Sequence, residues 1–187
     1  MTFTVLGQPQ FAELNRRLRQ AANARSPLVA VHRGQNSGSV VENTAKAVRS
    51  AIVAGADIVE IDVIESTDGN FFTFHNGYER AYFGLGRDIR TLSTAEMEQL
   101  QYSMYVSGDA EKYGLERLET ILESFPETIL NLDRSWEYWE RLLPLMDRFN
   151  CSERVLFKSP VSEEWLEYLA AHAVKYPYMP IVKTMSE

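Results

Sequence analysis

The chain is short of several things, and each shortage excludes something. A single cysteine, Cys151, among 187 residues rules out an internal disulfide framework and suits a reducing compartment. No apolar run is long enough to cross a bilayer, and the opening MTFTVLGQPQFAELNRRLRQ lacks the hydrophobic stretch of a secretory signal. There is no basic block. Lys plus Arg number 19 against 26 Asp plus Glu, a net charge of −7, which points away from nucleic acid and anionic membranes as partners. Linkers, low-complexity tracts and sequence repeats are missing too, so residues 1–187 read as a single domain, expected in the cytoplasm. What is present is 45% hydrophobic and 24% charged, enough to bury a core and far from a disordered composition.

Apolar periodicity alternates between two types. Residues 11–24 read as a helix through Phe11, Leu14 and Leu18, and Pro27 stops it. LVAVH (28–32) suits a buried strand, 43–54 a helix stopped by Gly55, and DIVEIDV (57–63) a strand. After the turn at Asp68-Gly69, FFTFH (71–75) is a further strand, joined to its predecessor by a hairpin-like connection. Residues 76–92 form a long loop. Ser93 and Glu96 make a capping box that opens a helix near 94–101, and a second helix lies near 116–124. Strands at 128–133, 154–159 and 179–184 alternate with helices at 136–149 and 162–174. This order predicts an α/β fold with a largely parallel sheet. A closed barrel of this type needs eight strands and usually about 250 residues. With six strands, the chain is either an open α/β sheet or a barrel without its last part.

Polar residues gather where apolar strands end. Glu60 and Asp62, two apart in a strand, share one face and set two carboxylates side by side. Such a pair repels itself when buried unless a proton or cation joins it, and a hard divalent ion suits oxygen donors. His32 and His75 each close an apolar strand, where α/β sites form and where imidazole can act as acid or base. Asp133 ends ILNLD, either as a third oxygen ligand or as a cap for the segment beginning near Trp136. Arg33, followed by Gly34, and Lys158 at a strand end are candidate anion clamps. His172 lies in a helical, alanine-rich stretch and is read as surface or satisfied, with no role. Carboxylates for an ion, cations for an anion and histidines for protons together suggest metal-assisted chemistry on a phosphate.

The string VHRG…ENTAKAVRSAIVAGADIVEIDVIESTDGNFFTFHN resembles the glycerophosphodiester phosphodiesterases, and the likeness runs over roughly residues 28–160. The resemblance implies a TIM-type (β/α) barrel, here incomplete with about six of eight strands. It also implies hydrolysis of glycerophosphodiesters to glycerol 3-phosphate and an alcohol, with a divalent metal, Mg²⁺ or Ca²⁺. By the same resemblance His32 and His75 look like a general acid/base pair, Glu60, Asp62 and Asp133 like metal ligands, and Arg33 like a phosphate-binding residue, while Lys158, the second strand-end cation, is a further substrate-binding candidate. Glu42, in the ENT string, looks by the resemblance like a site-lining residue and a neighbour of the metal. Asn76 stands where the family has Asp, and Ser135 where it often has a lysine. Alternatives are a truncated, catalytically weak relative acting as a binding or assembly module, and a phospholipase C- or D-like enzyme on the same barrel. An unclosed barrel leaves strand edges, so self-association through them is expected.

Overall fold

The computed structural model describes residues 9–24, 27–103 and 113–182. A 3₁₀ turn at Pro9–Phe11 leads into helix α1, Ala12–Ala24, which buries Leu14. Arg17 reaches the carbonyls of Glu127 and Glu153, residues just before two strands, so α1 lies across the N-terminal end of the sheet. The opposite end is left for a site.

Strand β1 is only Ala30–Val31, shorter than the 28–32 expected. Helix α2, Ala45–Val53, follows. Thr44 caps it by accepting from the Ala47 N–H, and Gly55, at φ 96, ends it as the sequence suggested. Strand β2, Ile58–Glu65, is the longest, and β3, Phe71–Thr73, returns antiparallel to it across the turn at Asp68-Gly69. Asp68 accepts both the N–H and the hydroxyl of Thr94, which holds its carboxyl down at about 2 and ties this turn to the next helix.

The excursion read as a loop over 76–92 contains helix α3, Glu79–Phe83, and a 3₁₀ turn at Ile89–Thr91. Helix α4, Thr94–Met97, carries the expected Ser93/Glu96 capping box but lasts one turn rather than reaching 101. The helix placed at 116–124 divides. Glu116–Arg117 is strand β4, antiparallel to β3, and helix α5 is Leu118–Ser124. Strand β5, Leu130–Asp133, is followed by a 3₁₀ turn at Trp136–Tyr138 and helix α6, Trp139–Arg148. Strand β6, Val155–Pro160, helix α7, Glu163–Ala171, and strand β7, Tyr178–Ile181, complete the order. Residues 183 and 184 of the expected last strand lie outside the described residues.

Among the described residues seven strands therefore form one sheet, in the order β4-β3-β2-β5-β6-β7 with β1 beside β2. Five of them, β1, β2, β5, β6 and β7, run parallel, and β3 and β4 extend the sheet antiparallel. Among the described residues β1 and β7 are not paired with each other, so the sheet is open and the barrel incomplete.

The central strands β2, β3 and β5 are buried on both sides, as sheets with cover on both faces are. Val59, Ile61, Val63, Leu130, Leu132, Val155 and Phe157 are all fully buried, packed with α2, α5 and α6. Trp139 is also fully buried and donates its Nε1–H to Ser135 Oγ at 3.0 Å. Burying such a ring contributes more than the roughly 1.5–3 kcal/mol of an aliphatic side chain. A second cluster, including Ile64, Phe72, Phe74, Tyr82 and Tyr102, packs the 76–103 excursion onto the other face of the β2–β3 hairpin.

Candidate metal and phosphodiester site

Parallel register brings the chemistry together. Val31 pairs with Val59, Glu60 with Asn131, and Asp62 with Asp133. Leu132 pairs with Phe157, so Asp133 and Lys158, one residue further, stand at the same level. Residues two apart share a face, so two layers form on the inner side. Glu60 and Asn131 make the lower one, and Asp62, Asp133 and Lys158 the upper. One oxygen each of Glu60, Asp62 and Asp133 lie within 4.8 Å of one another, and this is the group expected to hold the ion.

His32 and Arg33 leave β1 at this level. The Arg33 N–H donates to Glu60 Oε2 at 2.8 Å, and His32 Nε2 lies 3.8 Å from the same oxygen, with its side chain 69% exposed. Gly34, at φ 70, cannot be another residue without trouble, because a Cβ there would meet the Ala47 carbonyl carbon at 2.7 Å. The turn after β1 therefore packs backbone to backbone on α2. The Arg33 side chain is held by carboxylates. Nη1 donates to Glu42 Oε1 at 2.8 Å, and Nε lies 3.1 Å from Asp62 Oδ2 as an ion pair without hydrogen-bond alignment. Its guanidinium stacks on Tyr78, 5.3 Å from the ring centre. Glu42 is committed to Arg33 and Asn36 and is not one of the three clustered carboxylates.

His75 arrives differently from the way its strand suggested. It follows β3, which is antiparallel, so it is not at the C-terminal end of a parallel strand. β2 instead overshoots the rim to Glu65, and β3 brings the chain back, with the Phe74 N–H donating to the Asp62 carbonyl at 3.2 Å. His75 thus returns beside Asp62. Asp133 does not cap the segment after it, whose N-cap is Ser135. Its Oδ1 accepts the Arg134 N–H at 2.7 Å, and its Oδ2 pairs with Lys158 Nζ at 2.5 Å. Lys158 Nζ is also 3.9 Å from Glu60 Oε1, so it sits among the carboxylates. Ser135 is fully buried and its Oγ accepts from Trp139 Nε1 at 3.0 Å. His172 pairs with Asp147 at 2.8 Å, as its reading without a role requires.

The electrostatics are those of a site short of positive charge. Burial, joined by the charges of Asp62 and Asp133, pushes the Glu60 carboxyl up to about 7, against the Arg33 N–H and Lys158. Burial also raises Asp62, although Asn43, His75 and Arg33 oppose it. Asn43 makes a reciprocal clamp, Nδ2–H to Asp62 Oδ2 at 3.0 Å and Asp62 N–H to Asn43 Oδ1 at 2.9 Å. Burial lowers His75, with Arg33 and Arg134 adding to it and Asp62 opposing. Glu60 Oε1 is buried without a hydrogen-bond partner. Three hard oxygen donors, one of them unsatisfied, fit a divalent ion of the Mg²⁺ or Ca²⁺ type.

Sequence reasoning missed Arg134, Asn43 and Tyr78. The Arg134 Nε–H donates to Asn76 Oδ1 at 2.8 Å, and its Nη1 faces His75 Nε2 at 3.4 Å. The signal for it was its place directly after a strand-end acid, as Arg33 follows a strand-end histidine.

A family model described as the glycerophosphoryl diester phosphodiesterase family matches residues 32–185. The lysophospholipase D GDPD3 of Mus musculus is 29% identical over 168 residues, 84% of this chain and 49% of that protein. A glycerophosphodiester phosphodiesterase of Caldanaerobacter subterraneus is 28% identical over 144 residues, 71% of this chain and 57% of its own length. The chain thus spans about half the length of the curated relatives it matches. Among solved structures, a glycerophosphoryl diester phosphodiesterase from Parabacteroides distasonis superposes with TM-score 0.73 at 18% identity, over 92% of this chain and 61% of that one. A phosphodiesterase from Oleispira antarctica, solved with sn-glycerol-3-phosphate, superposes with TM-score 0.64 at 23% identity, over 84% of this chain and 66% of that one.

Proposed function

Because the chain belongs to the glycerophosphoryl diester phosphodiesterase family, we propose that it hydrolyses glycerophosphodiesters to glycerol 3-phosphate and an alcohol. The observation that carries this reading is the three-carboxylate cluster within 4.8 Å, with its unsatisfied Glu60 oxygen and a histidine on either side. Glu60, Asp62 and Asp133 are the residues to hold a divalent ion, Mg²⁺ or Ca²⁺. Once bound, the ion supplies Lewis-acid polarisation of a phosphoryl oxygen and offsets the clustered negative charge.

The chain's own residues do the rest. His75 is kept neutral by burial and takes a proton from a water molecule as the water oxygen bonds to phosphorus. His32, at the exposed rim, gives a proton to the alcohol oxygen as the phosphorus–oxygen bond to it breaks. Arg33, braced by Glu42, and Lys158, braced by Asp133, offer positive charge to the phosphate. A lysophospholipid is the second substrate reading, supported by the match to the mouse lysophospholipase D. A cytoplasmic setting is supported by the buried free thiol of Cys151.

The test is release of glycerol 3-phosphate from glycerophosphocholine by the purified chain with Mg²⁺ or Ca²⁺, with and without chelator. Lysophosphatidylcholine serves as the second arm. Chelator-sensitive release is expected. No hydrolysis of either compound with any divalent ion would overturn the proposal.

A further inference from the structure

Two strand ends leave the sheet in the same way. Val31-His32-Arg33 and Leu132-Asp133-Arg134 each finish a parallel strand with a polar residue and then an arginine in left-handed backbone, at φ 55 and φ 54. For a residue with a Cβ this conformation costs roughly 1–2 kcal/mol, and it persists where the surroundings impose it. At Arg33 the surroundings are carboxylates. At Arg134 they are a histidine and the amide beside it. Its Nε–H donates to Asn76 Oδ1 at 2.8 Å, and its Nη1 faces His75 Nε2 at 3.4 Å.

The imidazole of His75 therefore has a partner on each nitrogen. Nδ1 lies 2.9 Å from the Asn76 carbonyl, which can only accept a hydrogen bond. Nε2 faces a guanidinium, which can only donate. Both partners demand one tautomer, with the proton on Nδ1 and the lone pair on Nε2. Asn76 serves twice, since its carbonyl takes the ring proton and its side chain anchors Arg134.

We propose that Arg134 is a positioning residue of this site: it selects the Nδ1–H tautomer of His75 and keeps the lone pair on Nε2. The role rests on the catalytic reading of His75 given above, whereas the tautomer is measurable in protein that carries neither metal nor substrate. The groups that face His75 are Asp62 and Arg33 across the site, Tyr78 with ring centroids 5.1 Å apart, and Asn76 and Arg134. Without Arg134 no donor faces Nε2, and only the Asn76 carbonyl is left to select the tautomer.

The experiment is nitrogen NMR of protein labelled at histidine, ligand-free at pH 7, with His75→Gln used to assign the signals. Wild type is expected to show a protonated Nδ1 and an unprotonated Nε2. Arg134→Met moves the Nε2 signal toward the protonated position, and Arg134→Lys restores part of the wild-type signal. Asn76→Ala keeps the carbonyl but removes the Arg134 anchor, and it moves Nε2 the same way if Arg134→Met does not fold. In turnover, Arg134→Met lowers kcat by about 10- to 100-fold with a smaller change in KM, as misplacement of a catalytic group does. A protonated Nε2 in wild type, or ring signals unchanged in both Arg134→Met and Asn76→Ala, would overturn the role. Correct tautomers in an inactive protein would leave it standing and count against the phosphodiesterase reading instead.

Discussion

Glu60→Gln separates what the carboxylate cluster costs the metal-free protein from what it offers an ion. Burial and the neighbouring carboxylates raise Glu60 to about 7 from an ordinary 4.5. A carboxyl raised in the folded state holds its proton longer than the unfolded chain does, so stability falls as pH rises from about 4.5 to about 7. Integrated over that window at 1.36 kcal/mol per pH unit, the cost reaches about 3 kcal/mol above pH 7. Glutamine keeps an oxygen for the Arg33 N–H and removes the charge. At pH 8 without metal, Glu60→Gln should therefore unfold about 6–12 °C higher than wild type, using roughly 2–4 °C per kcal/mol for a chain of this size. With Mg²⁺ or Ca²⁺ at about 100 times its dissociation constant, wild type gains about 2.7 kcal/mol by mass action, and the variant gains nothing. The two melting curves should close up or cross on adding the ion. The wild-type gain itself should fade below pH 7, because protonated Glu60 is no ligand. Differential scanning calorimetry from pH 5 to 8, with and without ion, reads all of this. A wild-type stability that is flat across that range, together with an unaltered ion response in Glu60→Gln, would refute the reasoning.

Other substitutions probe other parts. His32→Ala and His75→Ala should each cut turnover about 10²- to 10⁴-fold while leaving the ion-induced melting shift in place, and His172→Ala, which only loses its Asp147 pair, should turn over as wild type does. Equal losses for all three in a steady-state assay would mark a stability effect. Gly34→Ala should destabilise by about 2–4 kcal/mol in denaturant titration, since a positive φ and a backbone clash combine there; a midpoint equal to wild type would contradict the close packing on α2. Leu28 and Val29 just before β1, and Val182 just after β7, are exposed beside strands that are paired on one side only among the described residues, so sedimentation should show concentration-dependent association that Val29→Lys with Val182→Lys suppresses, and a strictly monomeric wild type would oppose it.

The sequence carried the site's residues better than it carried their placement. Glu60 and Asp62 were legible as same-face carboxylates because strand periodicity fixes side-chain facing. The turn at Asp68-Gly69 made the β2–β3 hairpin legible, and the structure bears it out, but the overshoot of β2 to Glu65, which returns His75 to the rim on the antiparallel strand, emerged only in the structure. Leu118, Ile121 and Leu122 revealed α5, while Glu116–Arg117 is a strand because β3 offers an edge there, a tertiary fact. Arg134 was hidden for a similar reason. Arginine has no preference for a positive φ, and only the Asn76 and His75 partners show what holds it. Lys158 was legible as a strand-end cation, but register alone places its ammonium on Asp133.

The most direct test of the site is a crystal structure of the chain soaked with Mn²⁺ and glycerol 3-phosphate, read by anomalous scattering. One manganese peak bounded by carboxylate oxygens of Glu60, Asp62 and Asp133, with Lys158 moved off Asp133 and the phosphate beside it, is the expected result. Manganese bound only at exposed acidic pairs such as Glu163 and Glu164, with the three inner carboxylates still paired to Lys158 and Arg33, would contradict it.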